Sequence, residues 1–222
     1  PGYFATFLDR HSIPWRLIEI DAGKNVPHEH AEFSGFAFMG GPMSVNDDLP
    51  WIERECALIR AAVAADAPVI GHCLGGQLMA KALGSAVTRN PVWEIGWGEV
   101  RVADTPEAQA WFGATPRFLS FHWHGETFSL PSGATSILSS PYCANQAFAL
   151  GKHLALQCHV EMTESMIRLW SKSWQKEFGD GTAALSVQTP EQMQTDIKAR
   201  VAALNGVADK LYTRWIAGLK PA

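Results

Sequence analysis

Ala67-Pro68-Val69-Ile70-Gly71-His72-Cys73-Leu74-Gly75-Gly76-Gln77 is the stretch on which the reading of this chain turns. The apolar segment Ala67–Ile70 predicts a short buried strand. Gln77-Leu78-Met79-Ala80-Lys81-Ala82-Leu83 repeats its apolar side at helical spacing and predicts a helix. A strand that turns sharply into a helix, with Gly71, Gly75 and Gly76 crowding the turn, has the sterics of a nucleophile elbow. Residues without a Cβ tolerate the close approach, and the residue at the apex is held in a strained backbone conformation. The Cys73 thiol then stands at a helix N-terminus, whose partial positive charge favours the reactive thiolate. A lone cysteine is ordinarily a small buried hydrophobe. A base and an oxyanion hole elsewhere in the chain would separate the two readings.

The candidate base follows the apolar run 153–158. His159 and Glu161 stand at the end of that run, two residues apart, and alternate residues of an extended chain share a face. Glu161 is therefore placed to accept the Nδ1 proton of His159, which leaves Nε2 to deprotonate Cys73. By itself His-x-Glu reads as a surface ion pair; beside an elbow it reads as two members of a triad. Upstream, the apolar strand Gly35–Met39 ends in Gly40-Gly41-Pro42. Alone this is an ordinary turn. In context, the Gly41 and Leu74 N–H groups form the natural pair for stabilising an oxyanion.

Taken in order, Gly40-Gly41-Pro42-Met43-Ser44, then Gly71-His72-Cys73-Leu74-Gly75-Gly76-Gln77, then Gln157-Cys158-His159-Val160-Glu161 resemble the class I, triad-type glutamine amidotransferases. The resemblance runs from the first helix to about residue 177. It is nearest to the stand-alone branch close to the glutaminase domain of GMP synthase, which also includes γ-glutamyl peptide hydrolases. It implies that Cys73 attacks the side-chain amide of glutamine, that ammonia leaves, and that water hydrolyses a γ-glutamyl thioester. His159 would act as base and then acid, Glu161 as its orienter, and Gly41 and Leu74 as oxyanion donors. Gly40 and Gln77 would contact substrate, Gln77 at its amino-acid end.

In Phe121-His122-Trp123-His124-Gly125-Glu126-Thr127-Phe128 the resemblance implies substrate contacts from Trp123, Gly125 and Glu126, with Glu126 where the family often has Asp. Val160 replaces a common proline without disturbing the alternation of His159 and Glu161. Cys158 stands where an aromatic is common and reads as a packing residue. Asn90–Trp97 resembles a segment near the glutamine site, which makes Glu94 a candidate contact, and Trp93, Trp97 and Trp123 are expected to wall the cleft. His122 and His124 share a face and invite a metal reading, but no Cys or His cluster of zinc spacing accompanies them. His28-Glu29-His30 reads as a solvated loop. No metal or cofactor is expected.

The chain has 222 residues, a length that suits a single domain with a substantial core. A net charge of −4 and scattered Lys and Arg give no general pull toward nucleic acid or anionic membrane. Cys56, Cys73, Cys143 and Cys158 form no disulfide framework, and oxidation would disable a catalytic thiol, so a reducing cytoplasm is expected. No membrane span or signal peptide is visible.

Along the chain, Gly2–His11 predicts a helix, Trp15–Ile20 a strand, 51–64 a helix, Glu94–Val102 a strand followed by short strands through residue 157, and Thr163–Lys176 a helix. After the turn-rich Gly179-Asp180-Gly181, Thr189 caps a helix with Pro190 at its first position. This C-terminal helical extension, 189–218, repeats Ile197, Val201, Leu204, Val207 and Leu211 at helical spacing. Alternating elements predict an α/β fold with a doubly wound, mostly parallel sheet and helices on both faces, flavodoxin-like as the resemblance also implies. The family opens with a strand before the first helix, so a native first strand is expected ahead of residue 1. In such sheets the site lies beyond the C-terminal strand ends, where Gly41, Cys73 and His159 all fall.

Three functions follow. The first is hydrolysis of glutamine, alone or supplying ammonia to a separate synthetase. The second is a γ-glutamyl peptidase or hydrolase with the same triad. The third is a non-catalytic regulatory module. The leaving-group side of the pocket discriminates the first two.

Overall fold

The computed structural model describes residues 1–178 and 184–220, so the turn expected at 179–181 lies outside the described residues. In chain order the elements are α1 (Tyr3–Arg10), β1 (Phe36–Phe38), α2 (Pro50–Ala64), β2 (Val69–His72), α3 (Leu74–Ala82), β3 (Val87–Val102) and α4 (Pro106–Phe112). There follow β4 (Arg117–Phe128), β5 (Thr135–Ser139), β6 (Ala147–Leu150), β7 (His153–Leu156), α5 (Glu164–Phe178), α6 (Pro190–Gln194) and α7 (Ile197–Ile216).

The seven strands form one sheet in the order β1-β2-β7-β6-β5-β3-β4. β2 pairs in parallel with both β1 and β7, and the remaining neighbours are antiparallel. The sheet is therefore mixed, with its parallel part in the three strands that lead to the elbow and to His159. Successive side chains of a strand point to opposite faces, and β2 and β7 are buried along their whole length. Val69 and Ala155 enter the core beneath α2 and α3, while Ile70, Leu154 and Leu156 enter the core shared with α1, α4, α5 and α7. Helices on both faces are thus written into these two strands as uninterrupted apolar runs.

α1 buries Phe4, Phe7 and Leu8 at helical spacing. α7 buries Leu204, Leu211, Tyr212 and Trp215 on the same core, and its Tyr212 hydroxyl lies 3.0 Å from Nε2 of His72, the residue before the elbow apex. Two expectations are corrected. Trp15–Ile20 forms no strand: with β1 it lines an open groove of about 940 Å³, and among the described residues no strand lies beside it to complete a ladder. The C-terminal region is two helices. Thr189 and Gln192 form a capping box and Pro190 opens α6 as expected, but Asp196 adopts a left-handed conformation (φ 52°) that ends the first helix and re-aims the chain into α7. Met193 and Ile197 are both buried across this break.

Candidate active site

The elbow is built by close backbone packing. A Cβ on Gly75 would lie 2.1 Å from the Phe38 carbonyl oxygen, and one on Gly76 would lie 2.5 Å from that of Leu156. The first turn of α3 is thereby wedged between the ends of β1 and β7. Cys73 is the N-cap of α3 with φ 51° and ψ −109°, a region that a side chain with a Cβ adopts only under constraint. Its N–H donates to Leu156 O at 2.8 Å, and its carbonyl accepts from Gln77 N at 3.0 Å. The thiol is left at the helix mouth, beside the Trp123 carbonyl at 3.9 Å and the Gln157 amide at 3.7 Å.

His159 and Glu161 follow β7, where the His159 N–H bridges to Phe121 O at 2.8 Å. Glu161 Oε1 accepts from Nδ1 at 2.6 Å, and both side chains are almost fully buried. Nε2 of His159 has no well-formed hydrogen bond, and the Cys73 thiol is the polar group beside it. The two meet against Gly40, where an added Cβ would fall 3.1 Å from His159 Cε1 and 3.6 Å from Cys73 Cβ. Trp170 of α5 closes the other side, its ring edge-on to the imidazole at 5.0 Å.

Burial alone would lower the His159 pKa, but the charges of Glu161 and Cys73 outweigh it and hold the ring protonated. Burial likewise pushes Glu161 up, and the facing imidazolium wins and holds it below the usual carboxylate range. A raised histidine contributes stability that is full below its unfolded pKa, near 6.5, and fades as pH rises. A depressed carboxylate contributes stability that is full above 4.5 and fades as pH falls. The stability difference between wild type and Glu161→Gln is therefore expected to peak between these values, at roughly 2–3 kcal/mol, and to shrink toward pH 9. Urea titrations at pH 5.5 and pH 9 check this, and an equal difference at both would refute it.

The other expected residues gather here. Gly41 touches Leu74: a Cβ on Gly41 would sit 2.9 Å from Leu74 Cδ2. Gln77 is buried, with its amide donating to Gln157 Oε1 at 3.1 Å and to the Glu126 carbonyl at 3.5 Å. The Glu126 carboxylate accepts from the Ser44 hydroxyl at 2.9 and 3.1 Å. Gly125 lies under the Trp93 ring, which a Cβ there would meet at 2.6 Å. Trp123 is half-buried and stacks on Phe121. Trp97 does not wall the cleft: it is buried in the core, its indole donating to Met193 O at 2.9 Å. Glu94 is also buried, hydrogen-bonded to Ser140 and Gln146. His28 and Glu29 are exposed and His30 half-exposed.

Three residues escaped the sequence reading. Gln157 lies two positions before His159 in the same motif. Ser44 closes the Gly-Gly-Pro-Met-Ser motif. The motifs contained both, but their contacts become visible only in three dimensions. Trp170 carried no local signal beyond its place in a helix.

The family model for class I glutamine amidotransferases matches residues 11–168. A solved glutamine amidotransferase from Methylobacillus flagellatus superposes with a TM-score of 0.97 at 44% identity, covering 100% of this chain and 91% of that one. A glutamine amidotransferase-like protein of Salmonella typhimurium is 30% identical over 193 residues, 83% of this chain and 79% of its own length. Gamma-glutamyl peptidase 3 of Arabidopsis thaliana is 25% identical over 179 residues, 75% of this chain and 71% of its own.

Proposed function

This chain belongs to the class I glutamine amidotransferase family, and we propose that it hydrolyses the side-chain amide of glutamine through Cys73, His159 and Glu161. The observation that carries the reading is the buried 2.6 Å His159–Glu161 pair set beside a cysteine with φ 51° at the mouth of α3. The Cys73 sulfur attacks the amide carbon while the Gly41 and Leu74 N–H groups receive the developing oxyanion. His159 gives its Nε2 proton to the departing nitrogen, ammonia leaves, and a γ-glutamyl thioester remains. Water then attacks the thioester with His159 as base, and glutamate is released. Glu161 keeps the Nδ1 proton in place and neutralises the imidazolium. The Glu126 carboxylate, steadied by Ser44, suits the substrate ammonium. Trp123 and Gly125 line its approach, Gly40 leaves room for the reacting groups, and Gln77 braces the floor through Gln157 and Glu126. The ammonia goes to solvent or to a separate synthetase.

A γ-glutamyl peptidase reading uses the same residues. It is favoured by the likeness to the Arabidopsis peptidase, which extends over 71% of that protein. Incubating the purified chain with glutamine and with γ-glutamyl dipeptides decides between them. Ammonia released from glutamine at the higher kcat/KM supports the first reading, and amine released faster from the dipeptides supports the second. No product from either substrate would refute both.

A further inference from the structure

The β3–β4 hairpin carries a second buried polar cluster that the proposed hydrolysis does not use. Glu94 on β3, His124 on β4 and Cys143 between β5 and β6 bring a carboxylate oxygen, a ring nitrogen and a sulfur within 4.8 Å of one another, all buried. Among the described residues this is the one such group. The alternation of His122 with His124 hinted at a metal, but the His122 ring turns instead to the Gly98 carbonyl at 3.4 Å. Its place is taken by Glu94, directly opposite His124 in the antiparallel register, and by Cys143 from another part of the chain.

The geometry suits a metal ion at this spot. Nδ1 of His124 lies 3.0 Å from the Glu126 carbonyl, an obligate acceptor, so Nδ1 carries a hydrogen. The remaining nitrogen, Nε2, faces Glu94 Oε2 at 3.2 Å. The Gln146 amide nitrogen, 3.3 Å from Nε2 and 2.7 Å from Glu94 Oε2, bridges the two, and among the described residues no Lys or Arg side chain pairs with Glu94. A histidine whose far N–H is anchored to a backbone carbonyl has the usual orientation of a metal ligand. Two ligands about 2.0 Å from zinc at the tetrahedral angle stand about 3.3 Å apart, close to the observed 3.2 Å. The nearby Cys143 sulfur completes a nitrogen, oxygen and sulfur set that suits a borderline-soft ion. The Gln146 amide, 3.3 Å from Nε2, has an Oε1 that is buried without a partner, so reversing the amide would offer an oxygen as a fourth ligand.

We propose that Glu94, His124 and Cys143 bind one zinc ion. Binding expels the Cys143 thiol proton to solvent and involves no change of oxidation state. The ion would pin β3 to β4 and to the segment after β5. It would thereby fix the Glu126 carbonyl that Gln77 also uses.

The test is cobalt titration of chelator-stripped Cys73→Ala protein, which removes the competing thiol–imidazole pair. Wild-type protein alkylated at Cys73 serves equally if that variant folds poorly. The expected result is one equivalent of Co2+ bound with a thiolate-to-cobalt charge-transfer absorption in the near ultraviolet, lost again on adding one equivalent of Zn2+. Cys143→Ser in the same background is expected to lose the absorption, and Cys56→Ser to keep it. Absence of the absorption from the Cys73-blocked protein overturns the proposal, and so does its persistence in Cys143→Ser.

Discussion

Cys73→Ala is expected to lower kcat/KM for glutamine or γ-glutamyl dipeptides on the order of 10⁴-fold or more, with the fold retained. The prediction rests on how the four thiols differ. Burial pushes Cys158 up to about 12 and Cys56 up to about 11. Those two therefore stay protonated at neutral pH and are poor nucleophiles, and Cys143 lies in the cluster with Glu94 and His124. Cys73 alone caps a helix N-terminus, beside a histidine whose other nitrogen is tied to a buried carboxylate. An electrophilic glutamine analogue should accordingly label Cys73, located by mass spectrometry of the digest. Activity in Cys73→Ala equal to wild type, or label on Cys158, would overturn the assignment of the nucleophile.

Gly75→Ala should be the most damaging alanine substitution among the described glycines. The new Cβ would stand 2.1 Å from a backbone carbonyl of β1, which has no rotamer by which to yield. Relief requires α3 to move away from β1, with a cost of about 3 kcal/mol or more. For a chain of this size that is a fall in Tm of roughly 6–12 °C. Because the shift would also carry the Cys73 backbone, activity should fall further than stability alone explains. Gly206→Ala is the matched control. Gly206 is exposed on α7 and a Cβ there meets nothing within 4 Å, so the substitution should be neutral or stabilise by about 0.5–1 kcal/mol through helix propensity. Calorimetry on the two variants checks both signs at once. A Gly75→Ala melting curve matching wild type would show that the elbow is loose rather than wedged.

The local patterns were legible where a residue's role is set by its own neighbours. The apolar run into Gly71-His72-Cys73 and the helical spacing after it marked a strand, a turn and a helix, and the structure places β2, the elbow and α3 there. The spacing of His159 and Glu161 placed them on one face, and they meet at 2.6 Å. The apolar pattern of Trp15–Ile20 suits a strand, but a strand also needs a neighbour to pair with, and among the described residues none lies beside this segment. Asp196 was missed because one left-handed residue interrupts a helical repeat without disturbing its apolar spacing.

By itself, then, the sequence determined the α/β fold class, the elbow and the identity of the nucleophile, base and orienter candidates, since each depends on period, glycine content or a spacing of two. Only the tertiary structure decided what meets across the chain. It set the Gly40 face where Cys73 and His159 converge, the Ser44 hydroxyl that steadies Glu126, and the union of Glu94, His124 and Cys143. These contacts join residues 19 to 119 positions apart. Strand order and register bring them together, and no local periodicity encodes either.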